Sequence, residues 1–377
     1  MTGWAAAGDS SGRRSDERPH LRGGGGVPPR RRRHVPPDAR GAAAARLRPR
    51  LRGGRPGRRA QGGADRGGRR SRPHARRVAG RTARGRRLAD DSAREVGARA
   101  VAVATSPAAF EPHLSADERY DRMAERFGLV AREQFTCGLH VHVGIGSPEE
   151  GIAVLDRLRG WLPALLALST NSPLSAGADT GFASWRYQSC GRWPTAGPVG
   201  IWGDLEQYRS VVASLTSCGV LLDEGMLYFD ARLSRAHPTV EVRIADVPLH
   251  AEDSALIAVL IRALAETAVR DAGAGVPPVP LPTPVIAVSS WLASRHGTTG
   301  DLIDPVDGCP APASAVLARL LDHAGRALAE SGDEEVAACG VERVLARGTG
   351  AERQRAVWER TASAAEVIAD AAEATRA

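Results

Sequence analysis

The sequence predicts an α+β fold, and three observations predict it. Long amphipathic helical periods, such as Glu252–Arg270, occur beside short alternating segments at Gln134–Gly144, Tyr228–Leu233 and Thr239–Val247. These segments do not follow strict βαβ alternation, so strands and helices are expected to segregate around an antiparallel sheet. The 377 residues are enough for one large core or two modest ones.

The net charge of +8 is unevenly divided. Residues 1–87 hold 26 arginines against five acids, whereas residues 88–377 hold 25 arginines against 38 acids. Before Arg87 the large aliphatics are only Leu21, Val27, Val35, Leu47, Leu51 and Val78. So little apolar surface cannot offset chain entropy, which suggests a disordered Arg/Gly/Pro-rich arm. From Pro19 to Arg70 every residue is one that a codon beginning with G or C can encode. A GC-rich gene read one base out of register gives this alphabet, and a frameshifted, non-native segment explains more of the letters than an arm does. The expected division is therefore 1–87 as that segment and 88–377 as the folded domain, back in register near Leu88.

Beyond Leu88 the elements can be read in order. Ala89–Val103 reads as a helix running into an apolar strand, with Gly97 as its C-cap. Ser115–Glu118 and Ser147–Glu150 have the spacing of capping boxes, the second with Pro148 at the favoured first position. The first opens a helix through about Phe127, and the second a helix to about Leu168. Ser169–Gly203 has no period, and an irregular stretch of that length in a compact domain is usually functional. Asp204–Cys218 and Glu252–Arg270 read as helices, Gly273–Pro284 as a connector, and Ala311–Glu330, Asp333–Arg347 and Ala351–Arg376 as three further helices.

Several function classes are excluded. No lysine occurs, so neither a P-loop lysine nor a Schiff base is available. Phosphate would have to be held by arginine, backbone N–H groups or metal. Five scattered cysteines with no C-x-x-C suggest a reduced, cytoplasmic protein. No apolar run reaches membrane-spanning length, and no membrane partner is expected.

Three constellations carry chemistry. In Cys137–Gly144 the alternation of a strand puts His140 and His142 on one face, with Leu139, Val141 and Val143 on the other. Two imidazoles so spaced can begin a divalent metal site, though structural histidines fit equally well. In Thr239–Ile244, Glu241 and Arg243 share a face, which suits a metal–phosphate site or a plain ion pair. In Asn171–Gly197, small residues permit close backbone approach to a ligand. Arg186 could take a carboxylate or phosphate, and Trp185 and Trp193 could wall a pocket, or the stretch could be a structured loop.

Taken in order and spacing, Cys137–Gly144, Asn171–Gly197 and Pro238–Asp246 resemble the type 2 glutamate–cysteine ligases, with weaker support from Trp291–Asp304. The resemblance implies a glutamine-synthetase-like catalytic domain whose antiparallel sheet, flanked by helices, cradles ATP and Mg²⁺ or Mn²⁺. It implies phosphorylation of glutamate's γ-carboxylate, then attack by an amine such as that of cysteine. It implies catalytic and nucleotide-binding roles for Arg243 and Arg186, nucleotide contacts for Trp193 and Thr195, and metal ligation by His140, Glu241 and His142. The family's other metal carboxylates belong to two N-terminal strings, where this chain has Gly24, Gly25 and Gly26, then Arg59, Gly63 and Arg66. Glycine has no side chain and arginine cannot ligate Mg²⁺, so the chain as written is expected to be inactive.

Two other readings stand beside the ligase. One is a metal-dependent hydrolase using His140 and His142, with His237 or Asp246 as further ligands. The other is a nucleic-acid-binding protein with a basic tail; the absence of interleaved aromatics there argues against nucleic acid as a partner. The sequence does not fix the oligomeric state, and a homodimer is one option.

Overall fold

A computed structural model describes residues 74–110 and 118–377. In chain order the elements begin with α1 (His74–Arg94), α2 (Glu118–Phe127), α3 (Leu129–Arg132), β1 (Val141–Gly144), α4 (Pro148–Leu158) and α5 (Leu162–Ser169). A small hairpin of β2 (Leu174–Ser175) and β3 (Ala178–Asp179) precedes α6 (Trp185–Cys190), α7 (Leu205–Ser217), β4 (Ala231–Leu233) and β5 (Thr239–Val242). The remainder is α8 (Ala251–Gly273), α9 (Thr283–His296), a hairpin of β6 (Asp301–Ile303) and β7 (Pro310–Pro312), and then α10 (Ala313–Ser331), α11 (Glu334–Arg347), α12 (Gly350–Thr361) and α13 (Ala364–Arg376). The architecture is α+β: a three-stranded antiparallel sheet with helices packed against one face.

The sheet order is β1–β5–β4. Its registers place His142 opposite Glu241, and Glu241 opposite Arg232. The other face carries Val141, Val143, Val240, Val242, Ala231 and Leu233, which pack into the main core. That core is centred on α8, whose Ile257, Leu260 and Ile261 are inaccessible to solvent. Alternation along the strands thus divides the sheet into a dry face toward α4 and α8 and a polar face that is free to bind.

The boundary expected at Leu88 is corrected. Residues 74–87, expected to be disordered or non-native, form the first two-thirds of α1 and pack along α8. Large aliphatics are indeed few, but α1 docks by hydrogen bonding. The Ala75 amide donates to Asp333 at 3.0 Å. Arg86 donates to the carbonyls of Leu249 at 2.6 Å and Pro248 at 2.7 Å, and to the Ser254 hydroxyl at 3.1 Å. Near the other end of α1, the buried Asp90 receives Arg94 at 2.9 Å, Arg99 at 2.8 Å, Arg376 of α13 at 3.0 Å and the Ala100 amide at 3.2 Å. The Arg99 hydrogen bond leads the interactions that hold this carboxyl below the usual range against the cost of burying it.

Other differences are local. The helix expected to reach Leu168 breaks into α4, a 3₁₀ turn at Arg159–Trp161, and α5. Pro163 has no N–H to donate to the Arg159 carbonyl, so the α ladder cannot run through it. Ser147 caps α4 by accepting the Glu150 amide at 3.2 Å, but the Glu150 carboxylate takes the Gly146 amide at 2.9 Å and leaves the box half formed. Ser115 of the other capping box lies outside the described residues, although α2 does begin at Glu118. No strand forms at residues 101–103, where Val101 and Val103 instead pack on Leu249 and Ala371. The last expected helix divides into α12 and α13 at Ala362, which has a positive φ of 48°. Helix α9 was not foreseen, because its first turn continues the proline-rich connector.

Replacing Arg86 by alanine tests whether α1 is native. Loss of hydrogen bonds from a charged donor should lower unfolding free energy by about 1.5–3 kcal/mol in urea titration. An unchanged midpoint would mean that α1 does not dock.

Candidate active site

The polar face of the sheet is a grid of six side chains. One row is His142, Glu241 and Arg232, in register across β1, β5 and β4. Two residues along each strand, the same face carries His140, Arg243 and Asp230, and the backbone ladder continues there with the Arg243 amide donating to the Asp230 carbonyl at 2.8 Å. The structure brings His140, Glu241 and Arg243 together. His140 Nδ1 is 3.2 Å from Glu241 Oε1 and 3.3 Å from Arg243 Nη1. Arg243 also donates to Glu241 Oε1.

Glu241 is the electrostatic centre of the grid, and only 5% of it is exposed. Arg232 Nε donates to its Oε2 at 2.9 Å, while His142 Nε2 stands farther off, 4.0 Å from Oε1. Burial opposes the charge on Glu241, but the His140 hydrogen bond and the charges of Arg243 and Arg232 outweigh burial and hold the carboxyl well below the usual range. Arg243 is destabilised as a cation, first by burial and then by the like charge of Arg232. Its guanidinium carbon lies 5.9 Å from the centre of the Tyr228 ring.

A cavity opens on each side of this row. One, of about 450 Å³, is lined by His140, Arg243, Asp230, Arg186, Trp193 and Tyr228 among others. The second, of about 440 Å³, includes His142, Glu241, Arg232, Arg235, His237 and Tyr208 in its walls. Each is large enough for a metabolite or part of a nucleotide.

The third constellation, Asn171–Gly197, is organised around Asp246. Asp246 is wholly buried and accepts four hydrogen bonds. They come from the Asn171 amide at 2.9 Å, the Ser172 hydroxyl at 2.7 Å, the Ser184 hydroxyl at 2.8 Å and Arg186 Nε at 2.7 Å. Arg186 also donates to the Ile244 carbonyl. Its third nitrogen, Nη1, donates to Cys190 Sγ at 3.9 Å, so all three are engaged within the protein, and it borders the first cavity mainly as a buried strut. Thr195 does not line either cavity: its hydroxyl donates to the Met226 carbonyl at 2.5 Å and accepts the Tyr228 amide at 3.0 Å. Trp193 does form a wall, packed between Phe127 and Tyr228 with ring centres 5.1 and 5.3 Å away. Trp185 lies outside that wall against Phe182.

Two grid members were not singled out from the sequence. Arg232 braces Glu241 and also donates to the Leu227 carbonyl at 2.7 Å. Asp230 is 6% exposed, and Tyr187 donates to its Oδ2 at 3.2 Å. Burial raises its carboxyl to about 7, against smaller lowering effects of Tyr187 and Arg186. The signal was present: Asp230-Ala-Arg232 alternates like the two motifs that were recognised.

The described residues do not suit Mg²⁺ or Mn²⁺. Mg²⁺ seeks six oxygen ligands, whereas the face offers two imidazoles and two carboxylates, Glu241 already paired with two guanidiniums and Asp230 set apart beside Tyr187. Among the described residues no group of three or more His, Cys, Asp or Glu could hold a metal ion. Gly24, Gly25, Gly26, Arg59, Gly63 and Arg66 all lie outside the described residues.

Removing the Asp246 carboxylate should be severe. Asp246→Ala leaves Arg186 buried and unpaired, at a cost of about 3–5 kcal/mol in denaturant unfolding. A second expectation concerns Asp230. Its folded-state pKa of about 7 lies above the 3.8 of an unperturbed carboxyl, so its stabilising contribution is full below about pH 4 and is lost as pH rises through 7. The stability of the wild type relative to Asp230→Asn should therefore fall between pH 4 and 7, by about 4 kcal/mol at most, and stay level above that range. Paired thermal or urea unfolding across pH reads it out.

The profile of the family described as glutamate-cysteine ligase family 2 matches residues 73–374. A protein of Paenarthrobacter aurescens, provisionally named glutamate–cysteine ligase 2-1, is 54% identical over 291 residues, covering 77% of this chain and 76% of the relative. One from Streptomyces avermitilis, likewise provisionally named, is 45% identical over 291 residues, covering 77% of this chain and 80% of its own. The match spans the sheet, both cavities and the Asp246 hub, and the chain belongs to the glutamate–cysteine ligase family 2.

Proposed function

We propose that this chain is an ATP-dependent carboxylate–amine ligase that joins the γ-carboxylate of glutamate to an amine such as that of cysteine. The observation that carries this reading is the polar grid between two cavities, where Arg243, Arg232 and His140 surround a single carboxylate. Such a face is anion-seeking, with Glu241, Arg232 and Arg243 largely withdrawn from solvent beside the more exposed His140 and His142, so it suits phosphoryl and carboxylate oxygens.

The chemistry has two steps. An oxygen of the γ-carboxylate attacks the terminal phosphorus of ATP, and ADP departs. The amine nitrogen then attacks the acyl carbon, its proton passes to a base, and inorganic phosphate leaves. Arg243 is suited to the phosphoryl oxygens, with its planar guanidinium fixed by Glu241 and laid over Tyr228. Trp193 supplies an apolar wall, and His140 adds a polar group at the same mouth. Arg186 supports the floor through Asp246. No step is assigned to a cation, because the described residues do not form a shell for one. Glycine and arginine at the N-terminal carboxylate positions are expected to limit turnover by the chain as written.

The hydrolase reading is less well supported. Asp246 is engaged by four donors inside the protein, and among the described residues no group of three or more His, Cys, Asp or Glu could hold a metal ion. Among the described residues, no helix is long and apolar enough to cross a membrane. The substrates proposed are small molecules.

Millimolar ATP should raise the melting temperature of the purified chain, and Arg243→Ala should abolish that rise while changing the ligand-free melting temperature much less. Glutamate- and amine-dependent ADP release should be far below ordinary enzyme rates, about 1–10³ s⁻¹. Failure of ATP to protect the chain would overturn the nucleotide assignment. Turnover at ordinary rates would overturn the claim that the N-terminal substitutions are limiting.

A further inference from the structure

Asp230 is the carboxylate in the 450 Å³ cavity, and the ion pairs of the sheet leave it unused. It occupies the outer column of the grid, in register with Arg243, and it is more than nine-tenths buried while still lining the cavity. Its backbone is held on both sides, the amide donating to the Gly197 carbonyl at 3.0 Å and the carbonyl accepting from Arg243 at 2.8 Å. Among the described residues its side chain has one hydrogen-bond partner, the Tyr187 hydroxyl on Oδ2. Oδ1 has no donor among them. Arg186, whose charge bears on this carboxyl, is engaged by Asp246, the Ile244 carbonyl and Cys190 Sγ.

A buried carboxyl with an open oxygen asks for a donor. The walls beside it are the aromatic residues Tyr228, Phe229 and Trp193, which tolerate or favour a cation against their faces. His140 and Arg243 line the same cavity and suit an anion. One cavity therefore has an anion-seeking group and a cation-seeking group, the complement of a zwitterion.

We propose that Asp230 and the Tyr187 hydroxyl form a subsite for the primary ammonium of an α-amino acid bound in this cavity. The ammonium donates to Oδ1 of Asp230, while Tyr187 holds Oδ2 and so fixes the plane of the carboxylate. The same arrangement suits proton removal. When the nitrogen of a bound ammonium is to attack an acyl carbon, one N–H proton can pass to Asp230 and free the lone pair that forms the new C–N bond. Burial that favours the protonated carboxyl near neutral pH supports that capacity. The identity of the amino acid rests on the ligase reading; the ammonium subsite itself does not.

The test compares each amino acid with its ammonium-free counterpart, using calorimetric titration of the full chain at pH 8 with and without ADP. The probes are L-glutamate against glutarate, and L-2-aminobutyrate against butyrate. At least one amino acid should bind tenfold or more tightly than its counterpart, and Asp230→Asn should remove that preference while leaving binding of the counterpart unchanged. Equal binding within both pairs, binding by no probe, or a preference that survives Asp230→Asn overturns the subsite. The comparison within the wild type needs no variant to fold. Protection by ATP without any ammonium preference would sink the subsite and leave the ligase reading standing. An Asp230-dependent preference without ATP protection would do the reverse.

Discussion

The geometry of the site depends on one buried carboxylate, Asp246. Four donors converge on its carboxylate from two stretches of chain, Asn171 and Ser172 in one and Ser184 and Arg186 in the other, while its own amide donates to the Ser169 hydroxyl at 3.2 Å. A charge without solvent is tolerable only when it is paired and its lone pairs are filled, and here both conditions hold. The same contacts close the irregular stretch 169–203 onto the end of β5 and aim Arg186 across the cavity floor. Asn171 extends the hub. Its Nδ2 donates to the Ala102 and Val247 carbonyls at 2.7 and 2.8 Å, and its Oδ1 accepts Gln354 of α12 at 2.6 Å. The long loop is thus rigid because polar groups inside it are satisfied by one another, without a large hydrophobic core of its own.

The sheet face shows how alternation becomes electrostatics. Three strands each give two outward residues, and the six side chains carry three kinds of charge behaviour within a few ångströms. Glu241 is neutralised from both flanks, so the face as a whole leans positive toward its cavities. Asp230 lies on the neighbouring strand, two residues along from the partner of Glu241, and keeps a different ionisation, raised by burial where Glu241 is lowered by partners. Environment, not residue type, sets these two carboxylates apart.

Much of this was legible in the sequence, and the reasons differ by residue. His140, Glu241 and Arg243 could be placed together because a two-residue period on two strands fixes their faces once the strands are recognised. Arg232 and Asp230 obey the same rule in Tyr228–Leu233, a stretch that alternates in the sequence, but none of the recognised motifs falls on it to single them out. Arg186 and Thr195 each donate to internal acceptors, which no sequence pattern reveals, because a sequence shows a donor without showing whether an acceptor inside the protein has already taken it. Helix α1 was misread for a related reason. Composition counts apolar side chains, whereas α1 is fastened by arginines to carbonyls and carboxylates far along the chain. The breaks at Pro163 and Ala362 concern single backbone positions inside otherwise regular periods, where propensity is weakest as a guide.

The pairing of Asp90 with Arg376 joins positions 286 residues apart. During synthesis Asp90 leaves the ribosome long before this partner exists, so for most of translation that end of α1 has only local arginines to hold it. Contacts of such separation close late and slowly. The first helix of the described domain is therefore among the last to be locked in place, and a nascent chain stalled anywhere before α13 would leave that end of it unsecured and open to chaperones or proteases.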